Sequence, residues 1–218
     1  YLKNQFMDTA LDKLLTVSQL LFLRFGIRNV TMDDIAREMG ISKKTIYQFV
    51  ENKADLICKG VTKHIQNDHS SCIALIEHQN QNAIAQMLYI ANHVYRQLTT
   101  INFNLVFELR KFYPEIWQLL EKHRTEFVPK IISDNISKGI SEGLYRQDIQ
   151  ADIITQLYLA NSTVLITNTE FIKQNHQLTT LYTQMLKYHL FGIASTEGVK
   201  YLNENFDQLF NNTKICFA

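Results

Sequence analysis

Two prolines and seven glycines are all that punctuate these 218 residues, and that scarcity constrains the fold more than any other feature. A sheet protein needs turn signals roughly every 8–12 residues, whereas helices need breaks only at their ends. The chain is therefore expected to be all-α. Hydrophobic residues make up 46% of it, with ten Tyr and thirteen Phe, enough apolar surface to close a sizeable core at this length. No strand-like alternation, internal repeat or low-complexity segment competes with a helical reading.

Helix boundaries follow from apolar period and capping chemistry. Leu11, Leu14, Leu15, Leu21, Phe22 and Phe25 give an amphipathic stripe that stops at Gly26. Thr31 stands before Met32-Asp33-Asp34, an N-cap with a carboxylate at the third helical position. Gly40 ends that short helix, Ser42 caps the next, and Asn52-Lys53-Ala54-Asp55 opens a longer one. Beyond it, the period predicts helices over about 53–77, 83–99, 102–111, 115–141, 151–173, 177–194 and 197–211. Pro114 suits a first helical turn, and Pro129, inside a helical stretch, should interrupt it.

Two short capped helices joined by a glycine turn outline a helix-turn-helix. Ala36 lets the helices cross closely, and Ile35, Ile41 and Ile46 can fix the crossing angle. The second helix then offers Lys43, Lys44, Thr45, Tyr47 and Gln48, groups that reach phosphate oxygens and base edges. Charge alone would not suggest this. Residues 1–60 hold nine Lys/Arg against seven Asp/Glu, residues 61–218 thirteen against fourteen, and the net charge is only +1.

The run Thr31-x3-Ile35-Ala36-x3-Gly40-Ile41-Ser42-x2-Thr45-Ile46-Tyr47-x-Phe49-x3-Lys53-x2-Leu56 resembles the DNA-binding signature of TetR-type regulators. The resemblance implies a three-helix DNA-binding domain over 1–52 and a helical ligand-binding and dimerisation domain over 53–218. It implies phosphate contacts from Thr31, Tyr47 and Lys53, and base contacts from the exposed face of residues 42–48, which adds Ser42 to the DNA-binding set. Lys44 and Gln48 depart from the small and aromatic residues common in the family, so no operator sequence carries over. Glu142 to Ile149 resembles the family's connection before the first dimerising helix. Leu157, Leu165, Leu181 and Met185 give the helices of 151–194 apolar faces for a partner copy. The implied function is a dimeric transcriptional regulator, a repressor released from palindromic operator DNA by a small-molecule effector.

The rest of the chain is read against other classes. Aromatic residues such as Tyr89, Tyr95, Phe103, Phe107, Phe112, Trp117 and Tyr158 suit a core or a ligand box alike, and His93, Glu108 and Asn161 interrupt their apolar faces. Buried polar groups need partners, so Tyr89, His93, Phe107, Glu108, Trp117, Tyr158 and Asn161 are the candidate effector-binding residues. Gly139-x-Ser141-x-Gly143 matches a hydrolase elbow, but a helical pattern precedes it where that motif needs a strand. His123-x-x-Glu126 reads as a surface pair, so no metal or cofactor is assigned and no enzyme activity is expected. Cys58, Cys72 and Cys216 are sparse and unclustered, which predicts a reducing cytoplasm. No apolar run approaches the ~18 residues of a membrane span, and no signal-peptide pattern is visible. The alternative reading is a helical ligand carrier or enzyme whose trihelix does not bind DNA.

Overall fold

Wherever the apolar period persists, the backbone of the computed structural model is helical. It describes residues 2–77, 81–100, 102–167 and 177–210, with side chains described from residue 9 onward except at 166 and 167. The helices are α1 (Leu2–Phe25), α2 (Met32–Met39), α3 (Lys43–Ile46), α4 (Lys53–Glu77), α5 (Ala83–Thr100), α6 (Phe103–Phe112), α7 (Pro114–Lys122), α8 (Val128–Ser141), α9 (Ala151–Thr167), α10 (Leu178–Ile193) and α11 (Thr196–Phe210). The fold is all-α, with a three-helix N-terminal region followed by a larger bundle. The expected extension of α9 to 173, the expected end at 211 and Cys216 lie outside the described residues.

Three boundaries differ from the sequence reading, each for a local reason. Helix α1 starts at Leu2 rather than near Leu11, because periodicity marks where a face is buried, not where helical backbone begins. Helix α3 is a single turn, and Tyr47 to Phe49 follow in a tighter turn. There Gln48 N–H donates to Thr45 O (3.2 Å) and Phe49 N–H to Ile46 O (2.9 Å), i→i+3 bonds that satisfy terminal carbonyls. The stretch 115–141 is broken by a π-turn at His123–Phe127. Pro129 has no N–H for the carbonyl four residues back, and its ring crowds that carbonyl. The ladder widens just before it.

The packing divides into two units that do not follow the expected boundary at 52/53. Unit 1 comprises residues 1–68 and 102–123, and unit 2 residues 69–101 and 124–218. Unit 1 is built on a cluster that includes Leu14, Phe22, Ile27, Ile35, Ile46 and Leu56, joined by Leu109 of α6 and Ile116 of α7. In unit 2, α5 packs against α8, α10 and α11, and α9 packs against α8 and α10. Its connections are tied together by Arg146 N–H to Ile193 O and Ser195 N–H to Leu144 O, both 2.9 Å.

Gly139 and Gly143 belong to this scaffold rather than to a nucleophile elbow. A Cβ on Gly139 would lie 2.1 Å from the Tyr145 ring. Ser141 sits in the last turn of α8 and donates to Lys138 O (2.7 Å). No strand precedes it.

Candidate nucleic-acid interface

Each helix of the helix-turn-helix is fixed by its own side chains. The Thr31 hydroxyl accepts from Asp34 N–H (3.2 Å), and the Asp34 carboxylate accepts from Thr31 N–H (2.9 Å) and the Thr31 hydroxyl (2.6 Å). This reciprocal box satisfies amides at the helix start, and Thr31 holds the Asp34 carboxyl below its ordinary range. At the other end Gly40 is left-handed, φ +67°, a conformation costly for residues with a Cβ. Ser42 accepts from Thr45 N–H (3.0 Å), and its hydroxyl lies 2.8 Å from that of Thr45. Ile35 and Ile46 are fully buried between the two helices.

That packing leaves Lys44, Tyr47 and Gln48, at i, i+3 and i+4, exposed together on one face. Tyr47 is 44% exposed. Lys44 makes no ion pair with any described residue. Its neighbour is different. The Lys43 ammonium is 2.9 Å from the Asp33 carboxylate, whose hydrogen bond raises its pKa. Ser42 and Thr45 spend their hydroxyls on the cap and on each other, and Thr31 gives its proton to Asp34. A phosphate contact from Thr31 would have to replace Asp34 Oδ2.

Lys53 is the least expected of the set. Its ammonium donates to the carbonyls of Ile27 and Val30, each at 2.5 Å, and it is half-buried. Burial pushes its pKa below the ordinary value, against the pull of the Glu108 and Asp34 carboxylates. Glu108, expected in a ligand box, accepts from the same turn: Ile27 N–H at 2.6 Å and Arg28 N–H at 3.2 Å. Asn102, the N-cap of α6, donates to Leu23 O (2.7 Å). The turn between α1 and α2 is thus held at its carbonyls by a cation on α4 and at its amides by a carboxylate on α6.

The other candidate effector residues fall in both packing units. Phe107 and Trp117 lie with Glu108 in unit 1. Phe107 is 59% exposed beneath the Lys111 ammonium (5.3 Å to the ring), and Trp117 packs on the unit 1 core. Tyr89, His93, Tyr158 and Asn161 lie in unit 2. His93 is 3.0 Å from the Gln97 amide, Tyr89 is half-buried, and Asn161 is exposed. Tyr158 alone of these is buried. His123 pairs with Asp68 at 3.0 Å, away from the expected surface pair with Glu126.

Two residues of unit 2 escaped sequence reasoning. Tyr182 and His189, both on α10, each carry a buried polar atom, the hydroxyl and Nε2 respectively, with no hydrogen-bond partner. The Leu178, Tyr182, Leu186, Leu190 spacing reads simply as the core face of a helix. Polar tips on aromatic residues are invisible to that pattern.

Residues 14–57 match the family model described as bacterial regulatory proteins, tetR family. A solved transcriptional regulator from Saccharomonospora viridis in complex with choline is 19% identical, with a TM-score of 0.70 over 86% of this chain and 99% of that one. A TetR family transcriptional regulator from Agrobacterium tumefaciens is 16% identical, with a TM-score of 0.68 over 87% and 100%. The regulator FadR from Bacillus subtilis in complex with stearoyl-CoA is 17% identical, with a TM-score of 0.60 over 83% and 97%. No curated protein matches the sequence.

Proposed function

We propose that this chain, which has the TetR-family regulator fold with an N-terminal helix-turn-helix, is a homodimeric cytoplasmic repressor released from a palindromic operator by a small molecule. One observation carries the DNA reading. Helix α3, capped at its start and seated on Ile46, presents Lys44, Tyr47 and Gln48 together with no internal task for the lysine. Lysine donates to guanine acceptors and glutamine pairs with adenine in a major groove. Tyr47, Lys43, Thr31 and Lys53 serve the phosphates, with Ser42 and Thr45 at the rim of the groove. Residues 1–52 read DNA, and 53–218 bind the effector and dimerise.

Exposed apolar residues support the dimer. Ile153, Leu157 and Val164 line one side of α9, with Leu157 54% exposed, and Tyr188 (77%) and Phe191 stand out on α10. An open groove of about 850 Å³ between α8 and α9 runs up to Ile153 and Leu157. Leu181 and Met185 are half-buried beside Tyr188, while Leu165 is buried in its own core and so leaves the proposed interface. Large apolar side chains left exposed on two helices that pack together mark an association face. A two-fold dimer sets its recognition helices about 34–36 Å apart, in successive major grooves. An effector that binds a conformer with another spacing releases the DNA by population shift.

Similar folds hold choline in one regulator and stearoyl-CoA in another, which supports an effector here without transferring its identity. Among the described residues no helix is long and apolar enough to cross a membrane. The test is a titration of the protein against labelled DNA from its own upstream region, with unrelated duplex as competitor. Nanomolar binding that survives competition is expected. Equal affinity for both DNAs would overturn the reading.

A further inference from the structure

The interior of unit 2 contains polar chemistry that its packing leaves unused. On α10 the buried face is Leu178, Tyr182, Leu186, Leu190 and Ile193, with His189 beside it. Tyr182 is 2% exposed, yet its hydroxyl has no hydrogen-bond partner, and neither has the buried Nε2 of His189. Tyr158 of α9 joins them. Its ring lies 4.9 Å from the His189 ring, and its hydroxyl faces that of Tyr182 without completing a bond of good geometry. The Cys72 thiol, also buried, adjoins both tyrosines.

Buried donors and acceptors are nearly always satisfied, because an orphaned one forfeits its bonds to water and gains nothing in return. Phenylalanine and leucine would fill the same volume without that loss. Two orphaned polar tips beside one buried phenol therefore mark hydrogen-bonding capacity that the packing of unit 2 does not use.

We infer that Tyr158, Tyr182 and His189 form the binding site of an uncharged, largely apolar small molecule carrying hydrogen-bonding oxygen, of the alcohol, phenol or ketone class. This rests on the effector-responsive reading above and keeps Tyr158 from the residues the sequence suggested. Neutrality follows from the surroundings. Burial pushes both phenols up and His189 down to about 4, so all three are uncharged at neutral pH. None of the three carries a full charge, so an ionic group of a ligand would find no counter-charge among them. Tyr182 donates to a ligand oxygen, and His189 Nε2 accepts from a hydroxyl or donates, according to its tautomer.

The experiment uses the full-length protein without DNA and four ring-sized probes: phenol, cyclohexanone, benzoate and benzylammonium. Thermal shift and the side-chain 15N resonances of His189 are followed, with His189→Gln for assignment. Phenol or cyclohexanone should raise the melting temperature and move the His189 signals, while benzoate and benzylammonium at equal concentration should do neither. Tyr182→Phe should weaken the neutral probe at least tenfold while leaving the unliganded protein as stable as before or more so. A Tyr182→Phe variant that melts lower means that ordered water already satisfies the hydroxyl, and overturns the inference. So does binding of neither neutral probe, or equal binding of all four. Because no step involves DNA, probe binding without operator binding would sink the repressor and leave this site standing.

Discussion

Replacing Glu108 with alanine isolates the clamp on the turn between α1 and α2. The carboxylate accepts two backbone N–H groups, one short at 2.6 Å and one longer at 3.2 Å. Hydrogen bonds to a charged acceptor are worth about 1.5–3 kcal/mol each. The long bond is solvent-exposed and is discounted, which leaves about 2 kcal/mol from Ile27. Losing a nearby anion from the half-buried Lys53 ammonium adds a fraction more. Denaturant unfolding of Glu108→Ala should therefore show a loss of about 2–3 kcal/mol, and Glu108→Gln, which keeps one neutral acceptor, about half that. The turn leads directly into the Thr31 cap, so operator affinity should fall too, by about tenfold if half the loss is the cost of reordering the turn on DNA. Amide exchange at Ile27 and Arg28 should quicken in the same order. Unchanged exchange at those two amides, or stability within 0.5 kcal/mol of wild type, would show that the clamp holds nothing.

Other consequences are open to direct measurement. Lys44→Ala should reduce the salt slope of operator binding by about one unit or relax base preference by roughly 1–3 kcal/mol at one position; site selection with unchanged stringency and an unchanged slope would remove it from the interface. Lys43→Ala should cost less than Lys44→Ala, since Lys43 must first leave Asp33. Leu157→Glu with Tyr188→Glu should yield monomers by sedimentation, and a wild-type monomer at micromolar concentration would refute the dimer. His189 has a folded pKa of about 4 against an ordinary 6.5, so the unfolded chain binds the extra proton between those values. Stability should be full above pH 6.5 and fall by about 3 kcal/mol as pH drops to 4, a slope that His189→Gln should flatten.

The parts of this molecule that were legible in its sequence are the ones whose partners lie within one helical turn. Thr31 with Asp34, Ser42 with Thr45 and Asn52 with Asp55 are all three residues apart, and all three caps form. Amphipathic period located the long helices for the same reason, since a buried face is written at i, i+3 and i+4. The hold of Glu108 on the α1–α2 turn was not legible because its partner lies 81 residues away; a carboxylate beside an aromatic looks the same whether it serves a ligand or a backbone turn. The division into packing units was hidden likewise, because nothing local in α6 and α7 says that Leu109 and Ile116 complete the N-terminal core.

Lys53 is where the two kinds of information meet. A cation in the first turn of a helix opposes the macrodipole, and that local conflict alone marks the residue as having work elsewhere. From sequence the work suggested was a phosphate. The structure supplies a second partner, the carbonyls of Ile27 and Val30, which resolves the conflict without DNA. An ammonium has three donors, and two are taken, so one remains for a phosphate. The two roles separate experimentally. Lys53→Ala should lose stability in the absence of DNA and lower the salt slope by about one unit in its presence. Loss of stability with an unchanged slope would make Lys53 a structural residue only, and would leave Tyr47 and Lys43 as the phosphate contacts of this edge.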